Sequence, residues 1–129
     1  MNKFLFSTAA LALFAIGCPS PEAVCQSGVD QVCERQFECQ SDAAKNSEQF
    51  KATFGTNVDD CKTRLYAANK CSERKEDNDN CTGPNAGKEF DLSKASDCSN
   101  ARAKLACDAY LAQFSDPTKA PAVCAEVCK

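Results

Sequence analysis

Ten cysteines between Cys25 and Cys128 constrain the fold of this chain more than any other feature. Beyond position 17, fewer than one residue in seven is Leu, Ile, Val or Phe, below the ~20% that usually sustains a hydrophobic core. Disulfide bonds compensate for a small core because each restricts the unfolded chain, by roughly 2–4 kcal/mol. We therefore expect five disulfide bonds among Cys25, Cys33, Cys39, Cys61, Cys71, Cys81, Cys98, Cys107, Cys124 and Cys128.

The N-terminal segment has the pattern of a secretory leader. Lys3 precedes an apolar run over residues 4–16, which ends in Ala15-Ile16-Gly17-Cys18. The run is shorter than the ~20 apolar residues that a membrane-spanning helix needs. Small residues directly before a cysteine resemble the signal of bacterial lipoproteins. The resemblance implies cleavage before Cys18 and lipidation of that cysteine by a diacylglyceryl group, often with a further acyl chain such as palmitate.

The number of cysteines favours this interpretation over ordinary secretion. Ordinary cleavage at the same small residues would leave eleven cysteines and one unpaired thiol in an oxidising compartment. We expect a signal peptide over 1–17, a lipidated tether over 18–22 and one cysteine-rich helical domain over 23–129. The resemblance implies a cell-envelope protein anchored by lipid, to the outer membrane rather than the inner, and facing the periplasm or the exterior.

The body of the chain reads as helices. Ser20-Pro21-Glu22 is typical of a helix start, and the spacing of apolar residues predicts a helix to about Cys39. A short helix over 47–54 is ended by Gly55, and Thr56-Asn57-Val58-Asp59 resembles a capping box that opens the next one. Its apolar face is Val58, Cys61, Leu65 and Ala68.

A further helix is predicted from Ser96-Asp97 to Asp116-Pro117, and Pro121 begins a last turn. Within that helix the apolar face carries Ala103, Cys107, Tyr110, Leu111 and Phe114. Tyr66 and Tyr110 occupy core spacing, although either could be an exposed binding anchor. No segment shows the alternation of a strand. We predict an all-α fold, a small disulfide-stapled bundle of three to four helices.

The cysteine spacing suggests one set of disulfide pairs. Facing residues of an antiparallel helical hairpin have a nearly constant sum of residue numbers, and this favours Cys33–Cys61 and Cys25–Cys71. The remaining cysteines can then form Cys107–Cys124, Cys98–Cys128 and Cys39–Cys81. Many other pairings are compatible with the sequence.

The composition excludes several kinds of site. The chain has no histidine, which excludes His-dependent nucleophiles and His-ligated metals, and it has no C-x-x-C redox motif. Without the leader, 14 basic residues stand against 18 acidic ones, which does not fit a nucleic-acid partner. We expect no catalytic residue, no metal and no cofactor. Asp77 and Asp79 invite a calcium interpretation, but Thr82 and Lys88 stand where an EF-hand needs glycine and glutamate.

Two segments of the body resemble small cysteine-rich envelope lipoproteins of Gram-negative bacteria. They are Phe54-Gly55 before the helix with Cys61, and Gly87-Lys88-x-Phe90-Asp91 before Cys98 and Cys107. No activity is assigned to that group, so the resemblance implies no catalytic residue.

Three functional hypotheses follow from these observations. The first is a non-enzymatic, lipid-anchored binding or structural module with an envelope partner. The alternative is a secreted or surface effector, an inhibitor or toxin-like module, that acts through the polar loop Glu76–Gly87. An enzyme would have to work with carboxylates alone, in a pocket that perturbs their pKa values.

Overall fold

The computed structural model describes residues 19–75 and 80–129. Within these ranges the chain forms six α-helices and four 3₁₀ turns. The helices are α1 (Pro21–Cys39), α2 (Asp42–Lys45), α3 (Glu48–Phe54), α4 (Val58–Ala68), α5 (Leu92–Ala103) and α6 (Cys107–Ser115). The 3₁₀ turns are Cys71–Glu73, Gly83–Asn85, Pro117–Lys119 and Ala122–Glu126. The predicted all-α, disulfide-stapled fold is confirmed, and no described helix is long and apolar enough to cross a membrane.

Short polar side chains start most of the helices. At each of these starts, the side-chain oxygen accepts a hydrogen bond from the backbone N–H three residues later. Such a cap is worth about 1 kcal/mol because it satisfies a donor that the helix leaves unpaired. The capping residues are Ser20, Ser41, Ser47, Asn57 and Asp91. The predicted starts of α1 and α3 are therefore confirmed, and α1 includes Pro21 and Glu22, the last two residues of the expected tether.

The helix α4 begins one residue later than the predicted capping box. Asn57, rather than Thr56, is the cap and accepts a hydrogen bond from Asp60 N at 2.9 Å. The carboxylate of Asp60 in turn accepts a hydrogen bond from the backbone of the residue before Asn57, Thr56 N, at 3.1 Å. Arg64 also donates to Asp60, at 2.8 Å, and these bonds hold the pKa of Asp60 below its usual value.

The central helix α1 packs against α4, α5 and α6. Its contact with α4 is the predicted antiparallel hairpin, joined by Cys33–Cys61 and Cys25–Cys71. Around these two disulfides lies the main core cluster, in which half-buried side chains cover Val29 and the buried sulfur atoms. These covering residues are Cys25, Phe37, Phe54, Val58, Leu65 and Tyr66. Much of the core is thus built from cystines, as the small number of large apolar residues requires.

The helix predicted from Ser96-Asp97 to Asp116-Pro117 is wrong as one element. The chain instead forms α5, which starts four residues earlier behind Asp91, and α6, with a break at 104–106. At this break Ala106 has an extended backbone, and the guanidinium of Arg35 on α1 donates a hydrogen bond to the carbonyl of Leu105. The disulfide Cys39–Cys107 then ties the first residue of α6 to the last residue of α1.

The C-terminal segment returns to α5 and to the loop before it. Cys98 of α5 is bonded to Cys124, and Cys81 is bonded to Cys128. Backbone hydrogen bonds support the return, since Glu89 and Lys129 exchange N–H and C=O contacts beside an isolated bridge between Phe90 and Cys128. The carboxylate of Glu126 also lies 3.0 Å from Lys94 Nζ on α5, which lowers the pKa of Glu126 and raises that of Lys94.

Three of the five disulfide predictions are wrong. Cys39 pairs with Cys107 and not with Cys81, and Cys124 pairs with Cys98 and not with Cys107. Cys128 pairs with Cys81 and not with Cys98. The error has one source, because the break between α5 and α6 turns Cys107 toward α1. The C-terminal cysteines are then left to pair with α5 and with the loop.

Gly55 occupies a backbone position that other residues rarely adopt. Its φ is 76°, and a Cβ atom built there would lie 2.2 Å from Asp60 Oδ2. We expect Gly55→Ala to lower the free energy of unfolding by about 2 kcal/mol, because it adds backbone strain and disturbs the α4 cap. Gly28→Ala is the control, since Gly28 is helical and its added Cβ meets only Ser99 Oγ at 3.4 Å. Equal midpoints in urea for the two variants would contradict this explanation.

Asp91 makes the stability of α5 dependent on pH. Its carboxylate accepts a hydrogen bond from Lys94 N at 3.0 Å, which holds the pKa of Asp91 below its usual value. Because its pKa is lower in the folded state, the ionised Asp91 stabilises the fold at pH values above its unfolded pKa, about 3.9. This stabilisation is lost as the pH falls through the folded pKa. Asp91→Asn keeps a capping oxygen that does not titrate. Urea midpoints from pH 7 to pH 2 should therefore fall more steeply for the wild type than for this variant.

Candidate binding cleft

A cleft of about 430 Å³ lies between α1, α5 and the end of α4. Its apolar wall comes mainly from α1, and the other sides come from α5 and from residues on both sides of the undescribed segment 76–79. The lining residues are Pro21, Val24, Cys25, Gly28, Val29, Gln31, Val32, Leu65, Asn69, Arg74, Asn80, Phe90, Ala95, Ser99 and Arg102. A volume of this size is within the usual range for small-molecule sites, about 300–1,000 Å³.

Small side chains explain how α1 and α5 approach each other closely and still leave this space. A Cβ atom on Gly28 would lie 3.4 Å from Ser99 Oγ, so the two helices are nearly in contact at this level. Ala95, Ser99 and Arg102 form one face of α5 at helical spacing. The same three residues also line a second cavity, of about 520 Å³, toward Cys124 and Cys128.

Arg74 lies at the rim of the cleft and is fixed by neutral groups. Its Nε donates a hydrogen bond to the carbonyl of Asn69, and its Nη1 donates to Asn80 Oδ1, both at 3.2 Å. The disulfide Cys25–Cys71 is three residues away and ties this segment to α1. The guanidinium therefore has a defined position, and it forms no ion pair with the residues that the structure describes.

Arg102 and Gln31 contribute hydrogen-bond donors without protein acceptors. Both residues line the cleft, and Arg102 Nε and Gln31 Nε2 are buried and unpaired among the described residues. A buried donor without a partner costs about 1–3 kcal/mol. No carboxylate belongs to the described lining of the cleft. The described lining therefore carries two arginines and several hydrogen-bond donors.

Tyr110 supports the cleft from behind. Its side chain is fully buried, and its hydroxyl lies 3.5 Å from the carbonyl of Val32, one of the lining residues. Arg35 lies over the Tyr110 ring, with its Cζ 5.1 Å from the ring centre. Burial raises the pKa of Tyr110, and the nearby charges of Arg102 and Arg35 partly oppose this effect. The neutral phenol thus joins α6 to the helix that forms the wall.

The structure describes some of the residues that the sequence singles out, and others lie outside the described ranges. All ten body cysteines form disulfide bonds, so none of them is free for metal or redox chemistry in this state. Cys18 and the leader 1–17 lie outside the described residues. Tyr110 is in the core as expected, whereas Phe114 from the same predicted face is 57% exposed and covers Tyr110 edge-on.

Tyr66 is half-buried and takes part in a polar cluster between α1 and α4. Its hydroxyl donates a hydrogen bond to Asp30, which raises the pKa of Tyr66. Lys62 lies beside it, with its Nζ 2.9 Å from Glu34 Oε1 and 3.6 Å from Asp30 Oδ1. This cluster reinforces the helical hairpin, and its charged groups are paired with one another.

The loop proposed as an interaction surface is held through Cys81 as expected, but its partner is Cys128 and not Cys39. Cys81 is buried and bonded to Cys128, and residues 82–89 are exposed. Gly83 and Gly87 have positive φ values that allow the chain to turn there. Asp77 and Asp79, the candidate calcium ligands, lie outside the described residues. Elsewhere in the described chain, no group of three or more His, Cys, Asp or Glu residues could hold a metal ion.

Sequence reasoning did not find the cleft. Arg74, Arg102 and Gln31 belong to no local sequence motif that would mark them as binding residues. One signal was present, because Gly28 in the middle of a predicted helix indicates a close approach of another element. It does not say which element approaches, and that information comes only from the tertiary packing.

Comparisons with known proteins give this cleft no precedent. No family model, no curated protein and no solved structure matches the chain.

Proposed function

We propose that this chain is a lipid-anchored cell-envelope protein whose helical domain is a non-enzymatic binding module. The observation that carries the proposal is the cleft between α1 and α5, where Cys25–Cys71 ties α1 to the segment of Arg74 and Cys98–Cys124 ties α5 to the C-terminal turn. Stable disulfides are typical of secreted and envelope compartments. A scaffold of this kind holds a ligand without needing to reorganise.

The position of the cleft agrees with an anchor at Cys18. Pro21 lines the cleft and starts α1, and it is three residues from the proposed lipidated cysteine. Three residues span at most about 10 Å. Two or more acyl chains would anchor the domain stably, whereas one chain binds membrane only marginally. A ligand in the cleft would then lie close to the membrane surface.

The chemistry of the cleft favours binding over catalysis. The two charged residues of its described lining are arginines, which stay protonated and cannot act as general bases. Asn69, Asn80 and Gln31 can orient a ligand through hydrogen bonds, but they do not exchange protons near neutral pH. The side chains in the cleft therefore suit recognition of a ligand.

Cell fractionation tests the anchor. The wild-type chain should be found in the membrane fraction, with an acyl adduct on Cys18 in its intact mass. Cys18→Ser removes the lipid acceptor and should release the protein from the membrane. An unmodified chain that begins at Cys18, or a Cys18→Ser chain that stays in the membrane, would overturn the lipoprotein assignment.

A second candidate function is an interaction effector that acts through the loop Glu76–Gly87. The observation that favours it is the exposed run 82–89, which is fixed at one end by Cys81–Cys128. Replacing residues 82–87 with a Gly/Ser segment while keeping Cys81 should abolish crosslinking to a partner on intact cells if the loop binds it. Unchanged crosslinking would assign the partner to another surface.

A further inference from the structure

We propose that the cleft binds a single-chain organic anion, in which an acyl chain ends in a carboxylate or a phosphate. This inference rests on the proposed binding function and specifies its ligand. It follows from three features of the cleft, which are its charge, its unpaired donors and its apolar wall.

The two arginines of the described lining favour an anionic ligand. Arg74 and Arg102 line the cleft, and neither forms an ion pair with a described residue. Most of the cations that the structure describes on α4 and α5 are paired instead, for example Lys62 with Glu34, Arg64 with Asp60 and Lys94 with Glu126. Guanidinium groups match carboxylate and phosphate oxygens in geometry as well as in charge.

The unpaired donors favour a ligand that carries acceptor oxygens. Arg102 Nε and Gln31 Nε2 are buried without acceptors among the described residues, and both residues line the cleft, Gln31 from α1 and Arg102 from α5. Buried polar groups are normally hydrogen-bonded in native proteins. Because both atoms are buried, each side chain would have to turn toward the cleft before a ligand oxygen could accept a hydrogen bond from it. A neutral hydrocarbon would leave both unsatisfied.

The rest of the cleft suits an acyl chain. Val24, Val29 and Val32 form an apolar strip along α1, and Leu65 and Phe90 complete the wall. Unbranched chains fit narrow clefts of this kind, where burial of each methylene is favourable. A free inorganic anion would leave this apolar surface exposed to water. Charge and shape together therefore point to an amphipathic anion.

A titration followed by calorimetry tests the proposal. The probes are decanoate and decyl phosphate, with decanol and inorganic phosphate as controls that each lack one half of the ligand. The protein is the oxidised full chain with Cys18→Ser, so that no detergent competes for the cleft. We expect saturable binding of one decanoate or decyl phosphate per chain, with decanol and inorganic phosphate at least tenfold weaker. Equal binding of decanol and decanoate would overturn the proposal.

Matched arginine variants locate the site. Arg102→Gln and Arg74→Gln should each weaken decanoate binding at least tenfold, and Arg102→Lys should weaken it less because it keeps the charge. Arg64→Gln is the control, since Arg64 lies on α4 outside the cleft and should change the affinity less than twofold. Each variant is first compared with the parent by circular dichroism and thermal midpoint. Unchanged affinity in a folded Arg102→Gln chain would contradict the assignment.

Vesicles distinguish two sources of the same chemistry. Binding to decanoate assigns the cleft to a free acid, whereas binding to phosphatidylglycerol vesicles without binding to decanoate would overturn the single-chain ligand in favour of a two-chain bilayer lipid. Binding to neither decanoate nor the vesicles would overturn the proposal that the cleft binds an acyl anion. Fractionation of the wild-type chain tests the anchor separately, so a failure of the ligand proposal is distinguishable from a failure of the anchored module.

Discussion

Replacing Cys33 and Cys61 together by alanine should lower the free energy of unfolding by about 3–5 kcal/mol. The two sulfur atoms are fully buried at the centre of the core cluster, where α1 meets α4. The bond closes a 28-residue separation, and release of that constraint favours the unfolded chain by about 3.6 kcal/mol on the chain-entropy model. The loss should appear in guanidinium unfolding of the otherwise oxidised protein.

The pair Cys81 and Cys128 provides a matched comparison. Its bond closes a longer separation of 47 residues, so chain entropy alone predicts a loss larger by about 0.5 kcal/mol. Cys128 is only half-buried, however, and its removal leaves less unfilled space in the core. We expect the Cys33/Cys61 double variant to be the less stable of the two. The reverse order would mean that loop length, rather than burial, determines the contribution of these bonds.

Replacing Tyr110 by alanine should cost about 3–5 kcal/mol, as for other large aromatic residues in a core. The side chain is fully buried and contacts Phe114 edge-on, with ring centres 5.3 Å apart. Its loss also removes the ring that lies under Arg35. Few other large side chains in this bundle are available to fill the space. Denaturant unfolding at neutral pH measures the change.

Tyr110→Phe separates the ring from the hydroxyl. Its hydrogen bond to the Val32 carbonyl is long, at 3.5 Å, so its removal should cost less than about 1 kcal/mol. Phe114→Ala should also have a small effect, because most of that ring is exposed. A large loss in Tyr110→Phe would show that the polar contact, and not packing, makes this residue important.

Alkaline pH gives an independent test of the burial of this phenol. Burial raises the folded pKa of Tyr110 above its unfolded value near 10. Its contribution to stability is therefore fully present below pH 10 and is lost as the pH rises through the folded pKa. Stability should fall less steeply above pH 10 in Tyr110→Phe than in the wild type.

The local features of the fold were predictable from the sequence. Ser20 and Pro21 set the start of α1, and Gly55 ends α3, because caps and glycines act on their nearest neighbours. The hairpin pairs Cys25–Cys71 and Cys33–Cys61 were also predictable, since two adjacent antiparallel helices leave little freedom in register. At these positions the sequence pattern and the packing require the same arrangement.

The errors arise where distant parts of the chain decide the local structure. The segment around Leu105 has a good helical pattern, but a donor from Arg35 on α1 captures its carbonyl and Cys39 binds Cys107. No pattern within that segment reveals either contact. The short helix α2 was missed for a different reason, because it is four residues long and has no apolar periodicity.

The candidate site was the least predictable part of the molecule. Arg74 and Arg102 are 28 positions apart in the sequence, and their common position depends on how α1 packs against α5 and on Cys25–Cys71. The sequence pattern instead favours the polar loop 76–87 as an interaction surface, because turn residues and acidic groups are concentrated there. The cleft has no comparable local signature.

Peptide mapping of the non-reduced protein tests the scaffold most directly, because the disulfide pairs tie α1 to α4, to α6 and to the turn Cys71–Glu73, and tie α5 to the C-terminal turn. The structure predicts the linked peptides Cys25–Cys71, Cys33–Cys61, Cys39–Cys107, Cys81–Cys128 and Cys98–Cys124. Detection of Cys39–Cys81 or Cys107–Cys124 would contradict it, since either bond would pull α6 away from α1 and remove the support behind the cleft.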